Sequence, residues 1–188
     1  RWFPPAFPSM MLPLPPLARP QAVVSFDFDG TLHDPASDPP VPRALFDLLK
    51  RLRETRGLLW GINTGRSMEH MIEGFEESRF PFLPDWVVAR EREIYLADGT
   101  GGWTPHQAWN ERCEAEIHGL FRRARHLLDQ IRHDIEQHTG AEWFEMKGEP
   151  AGVVGRTAEE IEWIVQRITP VAAAEPELAW QRNTIWLR

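Results

Sequence analysis

Asp27 and Asp29, one residue apart at the end of the apolar run Ala22-Val23-Val24-Ser25-Phe26, have the types and spacing for chemistry. A short β-branched and aromatic run reads as a strand buried on both faces, and open α/β sheets take ligands at the carboxyl ends of such strands. Residues i and i+2 of a strand share a face, so the two carboxylates are expected side by side. At about 4 Å and an effective dielectric of roughly 20, such a pair repels by roughly 4 kcal/mol. Unless one acid is protonated a cation must offset that, and Mg2+ suits oxygen ligands together with a substrate phosphate. Gly30 permits a sharp turn after the strand, and the Thr31 hydroxyl can cap the segment beyond it. The plainer alternative is a strand that runs into an ordinary Asp-Gly turn.

A second segment weighs against that alternative. Gly57-Leu58-Leu59-Trp60-Gly61-Ile62-Asn63 is again an apolar strand, and it leads into Thr64-Gly65-Arg66-Ser67 just before a predicted helix. A hydroxyl and free backbone N–H groups at a helix N-terminus make an anion site.

Together, Asp27-Phe28-Asp29-Gly30-Thr31 and Thr64-Gly65-Arg66-Ser67 resemble the first two signature motifs of the haloacid dehalogenase superfamily of phosphatases. Over residues 21–188 the chain is most similar to the sucrose-phosphatase-like and Cof-like branch, which carries a C2-type cap. The resemblance implies a Rossmann-like α/β core with a parallel sheet and an α+β cap domain inserted after the second motif. It also implies Mg2+-dependent hydrolysis of a small phosphorylated substrate, a sugar phosphate, through a phospho-aspartate. Asp27 would then be the nucleophile and Asp29 the acid and base, and both would hold the metal, Asp29 through its backbone carbonyl. Thr64 and the Gly65 N–H would hold the phosphate oxygens that are not transferred.

Two departures qualify the resemblance. Pro84-Asp85-Trp86-Val87-Val88 and Glu93-Ile94-Tyr95 look like the family's passage from the third core strand into the cap, but Glu91-Arg92 stands where that pattern carries a small Gly-Thr pair. The third motif, a Lys or Arg that clamps the phosphoryl group, and the fourth, an acidic pair that completes the metal site, are not found before Arg188. The core is therefore expected to be incomplete at its C-terminus. Lys147, in the turn-like run Lys147-Gly148-Glu149-Pro150, is read either as a solvated turn lysine or as a substrate-binding residue. Two other functions stay open: a catalytically incomplete phosphate-binding or interaction fragment, and a phosphomutase or phosphotransferase.

Composition narrows the field. A net charge of −7 argues against sequence-independent nucleic-acid binding, which depends on Lys and Arg neutralising phosphates. An anionic substrate must then be drawn in locally, by a metal, helix N-termini and a few basic side chains. No apolar run approaches a membrane span, and the default compartment is the cytoplasm. The single cysteine, Cys113, allows no intramolecular disulfide and is expected as a buried, inert thiol. Oligomeric state has no signature in the sequence.

The elements that must position these residues emerge from periodicity. Residues 1–20 form a proline-rich tail, expected to be extended or disordered, with translation beginning at Met10 or Met11 or, alternatively, a polyproline docking segment. Residues 21–92 make the first part of the core and 93–188 the cap. Helix 43–55 places Leu45, Leu48, Leu49 and Leu52 at helical spacing, and helix 67–76 begins on a Ser67 cap. The interval from Asp29 to Thr64 holds one loop and one helix, too little for a cap. A strand is predicted over 86–89, and a hairpin turning through the glycines at 99–102, a reading preferred to a phosphate cradle. Helix 110–135 carries one apolar stripe, succeeded by strands 142–146 and 152–154, helix 158–167, and strands 178–181 and 184–187. Trp60 and Trp163 are assigned to the core, while Trp103 and Trp109 are placed at the cap entrance.

Overall fold

The computed structural model describes residues 14–145, 151–173, 179, 180, 182 and 184–187. Residues 1–13 of the proline-rich tail and Lys147 lie outside these. The chain divides into two compact units, Arg1–Cys113 and Glu114–Arg188.

In the first unit the expected strand–helix–strand unit forms. Strand β1 (Ala22–Asp27) leads through a turn-rich loop to α1 (Arg43–Arg56), β2 (Leu58–Asn63), α2 (Met68–Glu77) and β3 (Trp86–Ala89). Strands β4 (Glu93–Ala97) and β5 (Trp103–Pro105) complete a five-stranded sheet of order β1-β2-β3-β4-β5. The first three strands are parallel, and β4 and β5 join antiparallel. The hairpin expected in the cap therefore belongs to the first sheet, and the unit boundary falls after Cys113 rather than at residue 92. Its turn is pinned by Asp98, whose Oδ1 accepts from the Thr100 and Gly102 N–H groups, with Gly99 and Gly101 at positive φ.

One face of this sheet is closed by aromatic packing. Trp60, Phe28, Phe46, Phe75, Phe80 and Phe82 form a buried cluster with Met71 and Ile62. Trp103 is 5% exposed and stacks on Phe75, so it is a core residue rather than an entrance residue. Strand β1 departs from expectation. It lies at the sheet edge, its residues alternate half-buried and exposed, and Val23 is 68% exposed. A parallel strand is buried on both faces only where helices cover both; β1 also has one edge open, pairing with β2 alone among the described residues.

Gly57 ends α1 in the left-handed conformation and its N–H returns to Arg53 O. The segment after Leu14 is not a free tail. Leu14 packs on the core cluster, and Pro15 O accepts from Arg53 Nη2 at 2.7 Å.

Helix α3 (Gln107–His138) outruns the predicted 110–135 at both ends, and Cys113 on it is half-buried rather than buried. In the second unit Ile131 and Ile135 of α3 pack with Val153 of β7 (Gly152–Val154), Leu187 of β8 (Trp186–Leu187) and Ile161, Ile164 and Ile168 of α4 (Ala158–Ala172). With β6 (Glu142–Phe144) these strands form a three-stranded antiparallel sheet, order β6-β7-β8. Residues 179 and 180 of the strand expected over 178–181 are not in a strand, and 178 and 181 lie outside the described residues. Helix α4 continues past Arg167 to Ala172 with Pro170 inside its last turn, where the ring has no N–H to give to the helix. Trp163 is 39% exposed, because Ile161, Ile164 and Ile168 take the buried stripe and leave it one position off. No helix among the described residues is long and apolar enough to cross a membrane.

Candidate functional site

Asp27 is the last residue of β1, in register with Asn63 at the end of β2. The neighbouring parallel strands thus deliver Asp27 and the Thr64-Gly65 turn to one carboxyl edge of the sheet. Asp29 is not beside Asp27 on the strand, as the spacing suggested. The chain turns at Phe28, whose carbonyl accepts from Thr31, Leu32 and His33 N–H groups at 3.4, 3.0 and 2.9 Å, and Gly30 adopts φ +74°. That turn carries Asp29 past the strand end into a bridge with His33. Thr31 caps no helix; its hydroxyl donates to Asp27 Oδ2 at 3.0 Å.

The cation that faces Asp29 is Arg66. Its Nη2 and Nε donate to the two Asp29 carboxylate oxygens at 2.6 and 2.9 Å, a bidentate fork that arginine geometry suits. The hydrogen bonds to Asp29 hold the guanidinium pKa above its ordinary value, against the opposing effect of partial burial. The same guanidinium lies 4.9 Å over the fully buried Phe28 ring. Gly74 of α2 leaves the room, since a Cβ there would come within 3.1 Å of both Arg66 Nη1 and Phe28.

Thr64 is 2% exposed and held at three points: its N–H donates to Val88 O, its carbonyl accepts from Glu91 N–H, and its Oγ1 accepts from Arg66 N–H. Gly65 beside it is exposed. Ser67 caps α2 as expected, its side chain accepting from His70 N–H at 3.3 Å. The turn after β2 thus precedes a well-formed helix N-terminus, the setting in which backbone N–H groups meet anions.

The structure brings Asp27, Asp29, Thr64 and Gly65 to one sheet edge and adds Arg66, Thr31 and the β3–β4 loop. The signal for Arg66 was its type: an arginine one residue after Gly65, across from two acids. Among the described residues no group of three His, Cys, Asp or Glu side chains gathers to hold a metal ion.

A three-stranded parallel core with an acid and a hydroxyl turn at the carboxyl ends of adjacent strands defines a Rossmann-like α/β fold. No protein-family model and no characterised protein sequence matches the chain. Solved structures do. A haloacid dehalogenase-like hydrolase protein from Bacillus subtilis superposes with a TM-score of 0.57 at 16% identity, over 92% of this chain and 62% of that one. Trehalose-6-phosphate phosphatase from Aspergillus fumigatus gives 0.51 at 18% identity, over 89% and 60%. The C-terminal domain of the Candida albicans trehalose synthase regulatory protein gives 0.52 at 12%, over 90% and 56%. The fold is that of the haloacid dehalogenase-like hydrolases, and the chain spans about three-fifths of the length of these structures.

Proposed function

We propose that this chain carries the phosphate-handling part of a Mg2+-dependent phosphomonoester hydrolase, which acts on a small sugar phosphate through a phospho-aspartate, with the second unit as its cap. The observation that carries the reading is the register of Asp27 with Asn63, which sets an acid and the Thr64-Gly65 turn on adjacent parallel strand ends. The likeness in fold to a trehalose-6-phosphate phosphatase supports the substrate class.

In this reading the Asp27 oxygen not engaged by Thr31 attacks phosphorus in line, forming an O–P bond as the ester P–O bond breaks. Asp29 protonates the departing alkoxide, then takes a proton from the water that attacks phosphorus and releases Asp27. Both Asp29 oxygens accept from Arg66, and in this reading that fork opens so that the carboxyl group can reach the leaving oxygen. The freed guanidinium is then a cation available to phosphoryl oxygens, beside the exposed Gly65.

The donor set fits a hard cation that keeps several waters and binds through one or two carboxylates. Asp27 and Asp29 would hold Mg2+, which when bound neutralises charge on the phosphoryl oxygens.

A second reading, phosphate binding without turnover, is favoured because no group of three His, Cys, Asp or Glu side chains gathers to hold a metal ion among the described residues. Hydrolysis of p-nitrophenyl phosphate and binding of inorganic phosphate, each with and without Mg2+, separate the two. Turnover that disappears in Asp27→Asn supports the hydrolase. Phosphate binding without turnover supports the second reading, and equal turnover in Asp27→Asn refutes the nucleophile.

A further inference from the structure

Close packing fills most protein interiors and leaves few voids larger than a water molecule. The second unit keeps one open. A cavity of about 80 Å³ lies between its sheet and helices, walled by Leu128, Ile131 and Ile135 of α3, Ile168 of α4, Trp143 of β6 and Trp180. A single water needs roughly 10–15 Å³ of such space, so the volume exceeds one water several-fold. The α3 and α4 wall residues are themselves buried, and every side chain that lines the cavity is apolar.

A second, independent observation gives the cavity one polar point. The Trp143 Nε1–H is buried and has no acceptor among the described residues. A tryptophan N–H usually finds a partner when buried, and one left unpaired is costly. Trp60 and Trp103 share that state, but they are packed against Phe82 and Phe75, with ring centroids 6.0 Å apart in each pair. Trp143 borders open volume instead.

These two facts restrict the occupant. A buried water needs about two to four polar partners, and the lining side chains offer one. A pure hydrocarbon would leave the indole unpaired. A charged molecule would enter without a counter-charge, because no ionisable side chain lines the walls.

We propose that this cavity binds a small uncharged molecule with an apolar body and one hydrogen-bond acceptor, a carbonyl or ether oxygen. The oxygen accepts from Trp143 Nε1–H, and the hydrocarbon part lies among Ile131, Ile135 and Ile168. The site shares no residue with Asp27, Asp29 and Thr64, and it stands whether or not those residues handle phosphate.

The test is NMR titration of the full chain with cyclopentanone and with methylenecyclopentane, which match in size and shape and differ in the acceptor. The indole signal of Trp143 is identified by its loss in Trp143→Phe. Both molecules are expected to give saturable shifts, the ketone binding about two- to tenfold tighter, as one net hydrogen bond allows, and the ketone alone moving the Trp143 Nε1–H signal downfield. Trp143→Phe keeps a ring in the wall and should still bind both, with the preference gone. Ala172→Leu and Ile168→Phe add volume at two lining positions, and whichever keeps the native spectrum should bind neither. Absence of any saturable shift, equal affinities in the unaltered chain, a preference that survives Trp143→Phe, or binding that survives both filled variants overturns the proposal.

Discussion

Arg53→Met should be the most damaging single change in the first unit outside the aromatic core. The Arg53 side chain is 6% exposed; Nη1 lies 2.9 Å from both Asp85 carboxylate oxygens, and Nη2 donates to Pro15 O. Asp85 is 21% exposed and also accepts from Trp60 N–H at 3.0 Å. Removing the guanidinium strands a mostly buried carboxylate, and breaking a buried pair typically costs about 3–5 kcal/mol. The remaining Trp60 N–H and partial solvent access put the expected loss at the low end, about 3 kcal/mol. For a unit of roughly 100 residues that lowers the melting temperature by about 12–24 °C. The two units need not unfold together, so one melting curve does not define one free energy. Hydrogen exchange in peptides covering Leu58–Asn63, read beside thermal unfolding, localises the effect. The cycle closes with Asp85→Asn and the double variant, which should cost less than the sum of the single changes by about 1–3 kcal/mol. A loss under about 1 kcal/mol for Arg53→Met, or additivity within about 0.5 kcal/mol, would refute the view that this pair holds α1, β2 and the Pro15 segment together.

Three further outcomes are expected. Asp29→Asn leaves Arg66 an oxygen to bind but no exchangeable acid proton; turnover of an alkyl phosphate should fall by about 10²–10⁴, while a burst of p-nitrophenolate, whose departure needs little help, should persist ahead of the slowed hydrolysis of phospho-Asp27, and loss of that burst would argue against an acid role. Glu91→Gly removes a side chain from a left-handed position and should raise stability by about 1 kcal/mol in urea unfolding, with a loss showing that the glutamate is held by something else. Tyr95, the only tyrosine, has its phenol pKa raised above the ordinary 10, first by burial and then by the negative charge of Glu93, which accepts a hydrogen bond from its hydroxyl. Since the folded value exceeds the unfolded one, its contribution to stability is intact below about pH 10 and is lost as pH climbs from there through the folded value. Phenolate absorbance should titrate above 10 in the native chain, and Tyr95→Phe should flatten the alkaline decline.

Local pattern made most elements legible, and the features it missed depend on tertiary neighbours. The Ser67 cap, the Gly57 stop and strand β3 arise from residue types and periodicity within a few positions of themselves. The exposure of β1 does not: Ala22-Val23-Val24-Ser25-Phe26 reads the same at an edge as in the middle of a sheet, and only the strand order shows that one side is open. Gly61 looks like a weakness in β2, yet Trp86 lies over it and leaves no space for a Cβ. The separation of Asp29 from Asp27 was hidden in the Phe28 carbonyl, which gathers three N–H groups and ends the strand one residue early. Trp163 failed as a core residue because helical periodicity admits a neighbour of the buried stripe almost as readily as a member.

The structure also supplies a reason for the site to hold its shape before any ligand arrives. Asp29 grips Arg66, the Arg66 carbonyl accepts from Arg90, and Thr64 accepts from Glu91, so the loops after β1, β2 and β3 are tied in series. Two links are main-chain bonds to left-handed residues and cannot shift without releasing both. The third is a partly exposed ion pair, with Arg66 27% and Asp29 53% exposed, and exposed pairs are weak. Any motion at this edge should therefore begin at Asp29–Arg66, the contact that the proposed chemistry requires to open, while the Thr64 turn and the β3–β4 loop stay fixed.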